Sequence, residues 1–178
     1  MKVKDVMIKN IVSVSPDDTI SQAVSKMKRG NMHQLLVMEG HNFYGLLELK
    51  AVVTKDVNPA TTKVAGLAIN VPTIDINTEI QEVVSLLLGS GLRALPVKEN
   101  GKVSGIISES DIMRFAKDFV KGLNLNVKEL ISPAEYVEKG SRIGTVQKIM
   151  RDKNVSRIPV VEKGKVIGVV GTMELTKL

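Results

Sequence analysis

The stretch Gly105-Ile106-Ile107-Ser108-Glu109-Ser110-Asp111 decides how the whole chain is read. An apolar pair follows a glycine, then a hydroxyl residue, then a carboxylate three positions further on. Val103 to Ile107 reads as a buried strand, and Ser108 as the start of the next helix. Ser108 and Asp111 then take the N-cap and N3 places, a capping-box arrangement with aspartate in the second role. The same geometry suits a ligand. A helix start exposes unpaired N–H groups and a positive dipole end, which favours phosphate, and a carboxylate beside it accepts from ribose hydroxyls. Strand–Ser–x–x–Asp–helix occurs in many α/β proteins, so the motif alone does not choose between cap and site. Its weight comes from its surroundings.

Those surroundings repeat three times. Ile20, Ile80 and Ile143 each open a helical pattern, and a glycine follows at the same distance every time, at Gly45, Gly105 and Gly168. Between them lie short apolar strands, Leu35-Leu36-Val37, Leu95-Pro96-Val97 and Ile158-Pro159-Val160. Leading segments recur as well, at Val3 to Met7, Val64 to Ala68 and Val127 to Ile131. Ile80, Val83, Val84, Leu87 and Leu88 form one apolar helical stripe. Asp17 and Asn77 are the expected N-caps of the first two such helices, with the poorer Gly140 in that place in the third. Asn100-Gly101 is a strong hairpin signal. Pro96 and Pro159 lack an N–H and are expected at a strand start or an edge. Each unit reads strand, helix, strand, strand, helix.

The boundaries place copy one at 1–60, copy two at 61–123 and copy three at 124–178. Thr54 to Lys63, with Asn58-Pro59, is the first linker. The pattern Ile112, Met113, Phe115, Ala116, Phe119 extends the helix after Asp111 to about Lys121-Gly122, and Leu123 to Asn126 leads into copy three. A unit of about 60 residues buries too little apolar surface to stand alone, so the copies must pack on one another.

Composition narrows the functional classes. Apolar residues make up 43% and aromatic residues 3%, so the cores are built from Val, Ile, Leu, Met and Ala. No cysteine is present, which removes disulfides and thiolate metal sites. The first residues lack the apolar run of a signal peptide and no window has the length of a membrane span, so a cytoplasmic protein without membrane contact is expected. The net charge of +6 is concentrated in residues 124–178, with 10 basic against 6 acidic side chains. This is either a solvated face or a surface for an anionic partner. Nucleic acid is the weaker of the anionic choices, because aromatic interleaving and a long basic run are missing. With two histidines and no Gly-x-Ser-x-Gly, Gly-rich Lys-Ser/Thr loop or carboxylate cluster of metal-ligand spacing, no nucleophile, base and orienter can be assembled. The expectation is a non-enzyme without metal or cofactor.

With three in-register copies of a unit ending in strand, Gly–apolar–apolar–Ser–x–x–Asp and helix, and with "apolar-Pro-Val" strands in two of them, the chain resembles the cystathionine-β-synthase (CBS) domain family over essentially its whole length. The resemblance implies an α/β fold of tandem β-α-β-β-α repeats, paired side by side through their sheets (the Bateman module). It also implies adenosine-containing ligands in the clefts between paired repeats. In that family the Asp of the motif takes ribose, the Ser or Thr takes phosphate or ribose, basic residues before the "apolar-Pro-Val" strand reach phosphates, and the early strand lines adenine.

Carried onto this chain, copy two keeps the set: Thr73 and Ile74 on the early strand, Arg93, Ile107, Ser108 and Asp111. Copy one departs, with Glu48 and Ala51 in the Ser and Asp places and His33 in the place of Arg93. His33 is either a phosphate contact or an ordinary, partly exposed histidine. Copy three has Gly171 and Glu174 in the motif, and Arg157 beside Ile158 either faces the cleft or points to water. The leading expectation is a sensor that binds AMP, ADP, ATP or S-adenosylmethionine, an energy-sensing type of role. The alternative is a scaffold with mostly vestigial sites, whose basic third copy docks an acidic protein or nucleic acid. With copies one and two paired, copy three is left with an apolar face expected from Ile158, Val160, Val169 and Val170. A homodimer through copy three would cover it.

Overall fold

The computed structural model describes residues 1–116 and 133–177. The first repeat contributes β1 (Ser13–Val14), α1 (Ile20–Gly30), β2 (Gln34–Glu39), β3 (Asn42–Glu48) and α2 (Leu49–Thr54). The second has β4 (Ile74–Asp75), α3 (Ile80–Ser90), β5 (Ala94–Glu99), β6 (Lys102–Ser108) and α4 (Glu109–Ala116). The third has β7 (Val137–Glu138), α5 (Ile143–Asp152), β8 (Arg157–Glu162), β9 (Lys165–Gly171) and α6 (Thr172–Leu175). Strand, helix, strand, strand, helix therefore recurs three times, in a mixed α/β fold. The expected continuation of the helix after Ala116 and the leading segment of copy three lie outside the described residues.

Each repeat forms its own three-stranded sheet, in the orders β1-β2-β3, β4-β5-β6 and β7-β8-β9. Within each, a short first strand runs parallel to the second, and the hairpin closes antiparallel in copies two and three. Asn100 and Gly101 both have positive φ, 51° and 79°, between the paired Glu99 and Lys102, which is the I′ geometry a two-residue hairpin prefers. Lys163 and Gly164 do the same in copy three. Pro96 lies within the middle strand of its sheet, opposite Ile106. Because β4 pairs only with Val97 and Lys98, the strand is locally an edge at Pro96, and the missing N–H leaves no ladder bond unmade.

The capping residues differ from the expected ones. Thr19, not Asp17, caps α1, in a capping box with Gln22 (2.7 and 3.3 Å). Glu79 and Arg142 stand before α3 and α5 without a side-chain cap bond. Asn77 lies in the turn that precedes α3, donating its N–H to Asp75 Oδ1 at 2.8 Å. Asp75 is the Asx residue of this turn, and the Asn77 side chain, in place of capping α3, donates to the same Asp75 oxygen at 3.2 Å and accepts from Lys4 Nζ at 3.2 Å.

The chain divides into two compact units. The first comprises Met1–Pro16, Leu35–Leu46 and the described part of Ala68–Asn124. One of its cores gathers Ile74, Ile76, Val83, Leu87, Leu95, Val97 and Ile107 of copy two around Val3, Val6 and Met7. The N-terminal leading segment thus packs into copy two, with the Val3 N–H donating to the Thr78 carbonyl and Lys4 to Ile76. A second core joins Leu36 and Leu46 to Val71, Val103 and Ile106, forming the seam between the sheets of copies one and two.

The second unit comprises Asp17–Gln34, Leu47–Leu67 and the described part of Leu125–Leu178. Here the leading segment of copy two returns the exchange, with the Val64 N–H donating to Asp18 and Ile20 to Thr62. Helix α2 of copy one packs with α5 and α6 of copy three, and Lys28 of α1 donates to the Thr176 carbonyl. Gln147 Nε2 donates to the Val53 carbonyl at 2.7 Å and Arg151 Nη1 to Thr54 at 3.1 Å. The expected apolar face of copy three needs correction. Ile158 is fully buried, as is its register equivalent Leu95, which belongs to the core of copy two. The exposed residues are Val166, Ile167 and Val169, at 67%, 50% and 57%.

Candidate functional site

In copy two, β6 ends where α4 begins, so Ser108 is both the last strand residue and the residue before the helix. Asp111 Oδ2 accepts from the Ser108 N–H at 3.0 Å and from Ser108 Oγ at 2.5 Å, while the Asp111 N–H reaches Ser108 Oγ at 3.4 Å. The capping box is formed. Asp111 is buried, at 2% exposure, and its other oxygen lies 3.8 Å from Arg114 Nη2. Arg114 was not among the residues singled out from the sequence, although an Asp and an Arg three apart on a helix are a recognisable pair.

Arg93 reaches this corner through the sheet. Ala94 pairs with Ser108, and the Glu109 N–H donates to the Arg93 carbonyl at 3.0 Å, tying the start of β5 to the start of α4. Arg93 is exposed and makes no ion pair with another described residue. The backbone of Arg93 and the Ser108–Asp111 cap therefore lie at one helix start. Thr73 is half-buried just before β4, which joins the opposite edge of β5. The side chains of Ile74 and Ile107 belong to the core of copy two, so these residues can offer a ligand their backbone but not their apolar ends.

The other two copies use the same joint differently. In copy one the Leu49 N–H donates to the His33 carbonyl at 2.8 Å, the counterpart of the Glu109–Arg93 bond, and His33 is half-buried. Glu48 stands before α2 without a side-chain cap bond. In copy three the equivalent bond runs from Thr172 to Ser156 at 3.1 Å. Ser156 is thus the register equivalent of Arg93, and Arg157, paired with Gly171, is the equivalent of Ala94. Arg157 is exposed, with its stem over Gly171. Glu174 Oε2 accepts from the Gly171 N–H at 3.0 Å, so this carboxylate caps its own helix start.

The second unit holds a cavity of about 590 Å³, lined among others by Ser21, Lys28, Thr54, Lys55, Gln147 and Arg151. None of the candidate ligand-binding residues named from the sequence lines it. Gln147, Arg151 and Lys28 already donate to the carbonyls of Val53, Thr54 and Thr176, so the polar groups on its wall serve helix packing. Among the described residues no cluster of His, Asp or Glu could hold a metal ion, and no helix is long and apolar enough to cross a membrane.

Comparison with known proteins bears on the family and the fold. The CBS domain family model matches residues 3–58, 64–118 and 127–178. The uncharacterized protein MJ1404 of Methanocaldococcus jannaschii is 29% identical over 181 residues, covering 98% of this chain and 42% of that protein. The chain therefore spans less than half the length of this relative. Protein MJ1225 of the same organism, proposed as an archaeal homolog of g-AMPK, matches at a TM-score of 0.87 over 97% of this chain and 70% of its own, with 20% identity. The CBS domain pair of protein MJ0100, solved in complex with 5-methylthioadenosine and S-adenosyl-L-methionine, matches at 0.59 over 67% of this chain and 98% of its own, with 18% identity. At such identities the two likenesses concern the fold.

Proposed function

The chain belongs to the CBS domain family, whose members are regulatory modules, and from that premise we propose that it is a non-catalytic sensor binding an adenosine-containing ligand at copy two. The observation that carries the proposal is the corner described above. Only in copy two does one helix start combine Ser108, Asp111 and an exposed arginine without an ion pair among the described residues. The ribose hydroxyls donate to Asp111, displacing the Arg114 guanidinium or the Ser108 hydroxyl that the carboxylate now holds. The N–H groups opening α4 face negative charge favourably, and Arg93 adds a charge-assisted contact to a phosphate. AMP, ADP, ATP and S-adenosylmethionine all carry the adenosine part. The ligand acts by binding one arrangement of the repeats better than another, since only differential affinity shifts an equilibrium.

The MJ0100 pair, crystallised with two adenosine-containing compounds, and the relation proposed for MJ1225 favour this ligand class. A second reading, a scaffold with vestigial sites, is favoured by the capping roles of Asp111 and Glu174. Thermal melting with AMP, ADP, ATP, S-adenosylmethionine and a short DNA duplex separates the two. At a hundredfold excess over its dissociation constant a true ligand stabilises by about 2.7 kcal/mol. A shift with an adenosine compound supports the sensor. No shift with any of the four, or a shift with DNA alone, refutes it.

A further inference from the structure

The cavity of the second unit, about 590 Å³, has the size of a small-molecule site, for which about 300–1,000 Å³ is usual. It is separate from the corner of copy two, which belongs to the first unit. Ser108 and Asp111 stand at a helix start, whereas this wall is built where helices finish. Thr54 ends α2 with Lys55 after it, and Leu175 ends α6 with Thr176 after it. Helices α1 and α5 complete the wall, with Lys28 from the one and Gly144 and Arg151 from the other.

Positive charge gathers around it. The described residues of the second unit include 15 Lys and Arg against 9 Asp and Glu, while those of the first include 7 against 8. Three of these cations, Lys28, Lys55 and Arg151, line the cavity, opposed on its wall by the one carboxylate of Asp56. Lys28 and Arg151 donate to the carbonyls of Thr176 and Thr54. Those bonds satisfy the carbonyls at the helix ends and fix where the cations stand, but a neutral carbonyl leaves their charge in place. Arg151 Nε also lies 3.3 Å from Asp152 Oδ1, a pair about half exposed on both sides and therefore weak. Lys28, Lys55 and Asp56 make no ion pair with another described residue. The apolar wall, with Val52, Val57 and Leu175, is aliphatic, and no aromatic ring among the described residues lines the cavity for a base to stack on.

We propose that this cavity binds a small organic phosphate with an aliphatic body, independently of the adenosine site at copy two. Three cations against one carboxylate favour a dianion, and a phosphate monoester carries about −1.5 to −2 at neutral pH where a carboxylate carries a single charge. The hydrogens that Lys28 and Arg151 have left after their carbonyl bonds, with those of Lys55, supply charge-assisted donors to its oxygens. The aliphatic wall takes the body. Lys28 and Lys55 come from copy one and Arg151 from copy three, so the bound phosphate ties these two copies together and stabilises the packing of the second unit.

Amide chemical shifts of the full chain, followed by NMR during titration with n-butyl phosphate, inorganic phosphate and butyrate, test this. Butyl phosphate should give saturable shifts centred on Lys55, Gly144 and Gln147, and should bind more tightly than either of the other two. Lys55 is exposed and its side chain makes no bond to another described residue, so Lys55→Glu should fold normally and raise the dissociation constant roughly tenfold or more. Lys102→Glu makes the same charge change on the exposed hairpin of copy two and should bind like wild type. Circular dichroism checks both folds. The absence of saturable shifts overturns the proposal, as do shifts centred on Arg93 and Glu109, or binding that Lys55→Glu weakens no more than Lys102→Glu. Butyrate binding as tightly as butyl phosphate would overturn the phosphate, and inorganic phosphate doing so would overturn the aliphatic body.

Discussion

Gly105→Ala is a sharp test of the exchanged leading segment, because it adds one methyl where the structure has no room. The new Cβ would stand 2.6 Å from the Ile8 carbonyl oxygen and 3.1 Å from the Met7 Cε. Met7 can move, since it is the far end of a flexible side chain. The carbonyl is backbone, held by the pair of bonds with Ile106. Two responses are open. The carbonyl stays and the overpacking costs about 1–3 kcal/mol, or it withdraws and two backbone hydrogen bonds are lost at about 1 kcal/mol each. These are alternatives and do not add, so either way the cost is about 2 kcal/mol. Alanine also narrows the unfolded ensemble, which returns about 0.4–1 kcal/mol. The net loss is about 1–1.5 kcal/mol, and at about 2–4 °C per kcal/mol for a chain of this size the melting midpoint falls by about 2–6 °C. The control is Gly66→Ala, where the added Cβ meets nothing within 4 Å among the described residues and the midpoint should hold or rise slightly. Thermal melts followed by circular dichroism read both. A Gly105→Ala midpoint at or above that of Gly66→Ala would refute the close approach, and with it the packing of the N-terminal segment on copy two.

Other consequences can be checked in parallel. Thr19→Ala removes one hydroxyl and half of the capping box with Gln22, and urea unfolding should show a loss of about 1 kcal/mol. Arg93→Ala should weaken AMP or ATP much more than adenosine or S-adenosylmethionine, because only a phosphate uses the guanidinium; equal losses in calorimetric titrations of all four would make Arg93 structural. Gly171→Ser restores a hydroxyl residue to the motif of copy three, yet its Cβ would stand 2.8 Å from Glu174 Oε2. Melting should therefore show no gain in stability, and a clear gain would contradict the tight packing there.

Much of the fold was legible because it is local and repeated. Ser108 and Asp111 announce a strand ending in a capped helix, Asn100-Gly101 announces the hairpin, and the spacing from Ile80 to Gly105 recurs in the other two copies. What lay beyond periodicity was the choice of partner. Nothing in Val3 to Met7 says that it packs on copy two and not on copy one, since a short apolar segment fits either repeat and the exchange is decided by packing across the pair. The packing of α2 on α5 and α6 was hidden for the same reason. The misplaced caps have a local cause: Asp17 and Asn77 are residues that favour turns and caps alike, and the Asn77 side chain bonds to Asp75 and Lys4 instead of capping α3. Arg157 shows the limit of reading a site by eye, since counting from Ile158 puts it beside the motif while the hydrogen bond from Thr172 places Ser156 there. Asp111 shows another limit. Its residue type announced both a cap and a ribose acceptor; the cap with Ser108 is formed, and what the pattern left open is that Arg114 stands against the carboxylate's other oxygen as well.

Calorimetric titration of AMP and S-adenosylmethionine into wild type, Asp111→Ala and Glu174→Ala tests the central claim most directly. Asp111 and Glu174 both cap the helix that follows the motif, each accepting from a backbone N–H at 3.0 Å, so each variant loses that cap bond, and Asp111→Ala loses the Ser108 Oγ bond as well. Only Asp111 belongs to the proposed site. At least one ligand should bind wild type and Glu174→Ala alike, and Asp111→Ala should bind it more weakly by about 1–3 kcal/mol, roughly five- to 150-fold. Binding that Asp111→Ala leaves unchanged, or that Glu174→Ala weakens equally, would contradict an adenosine site at copy two.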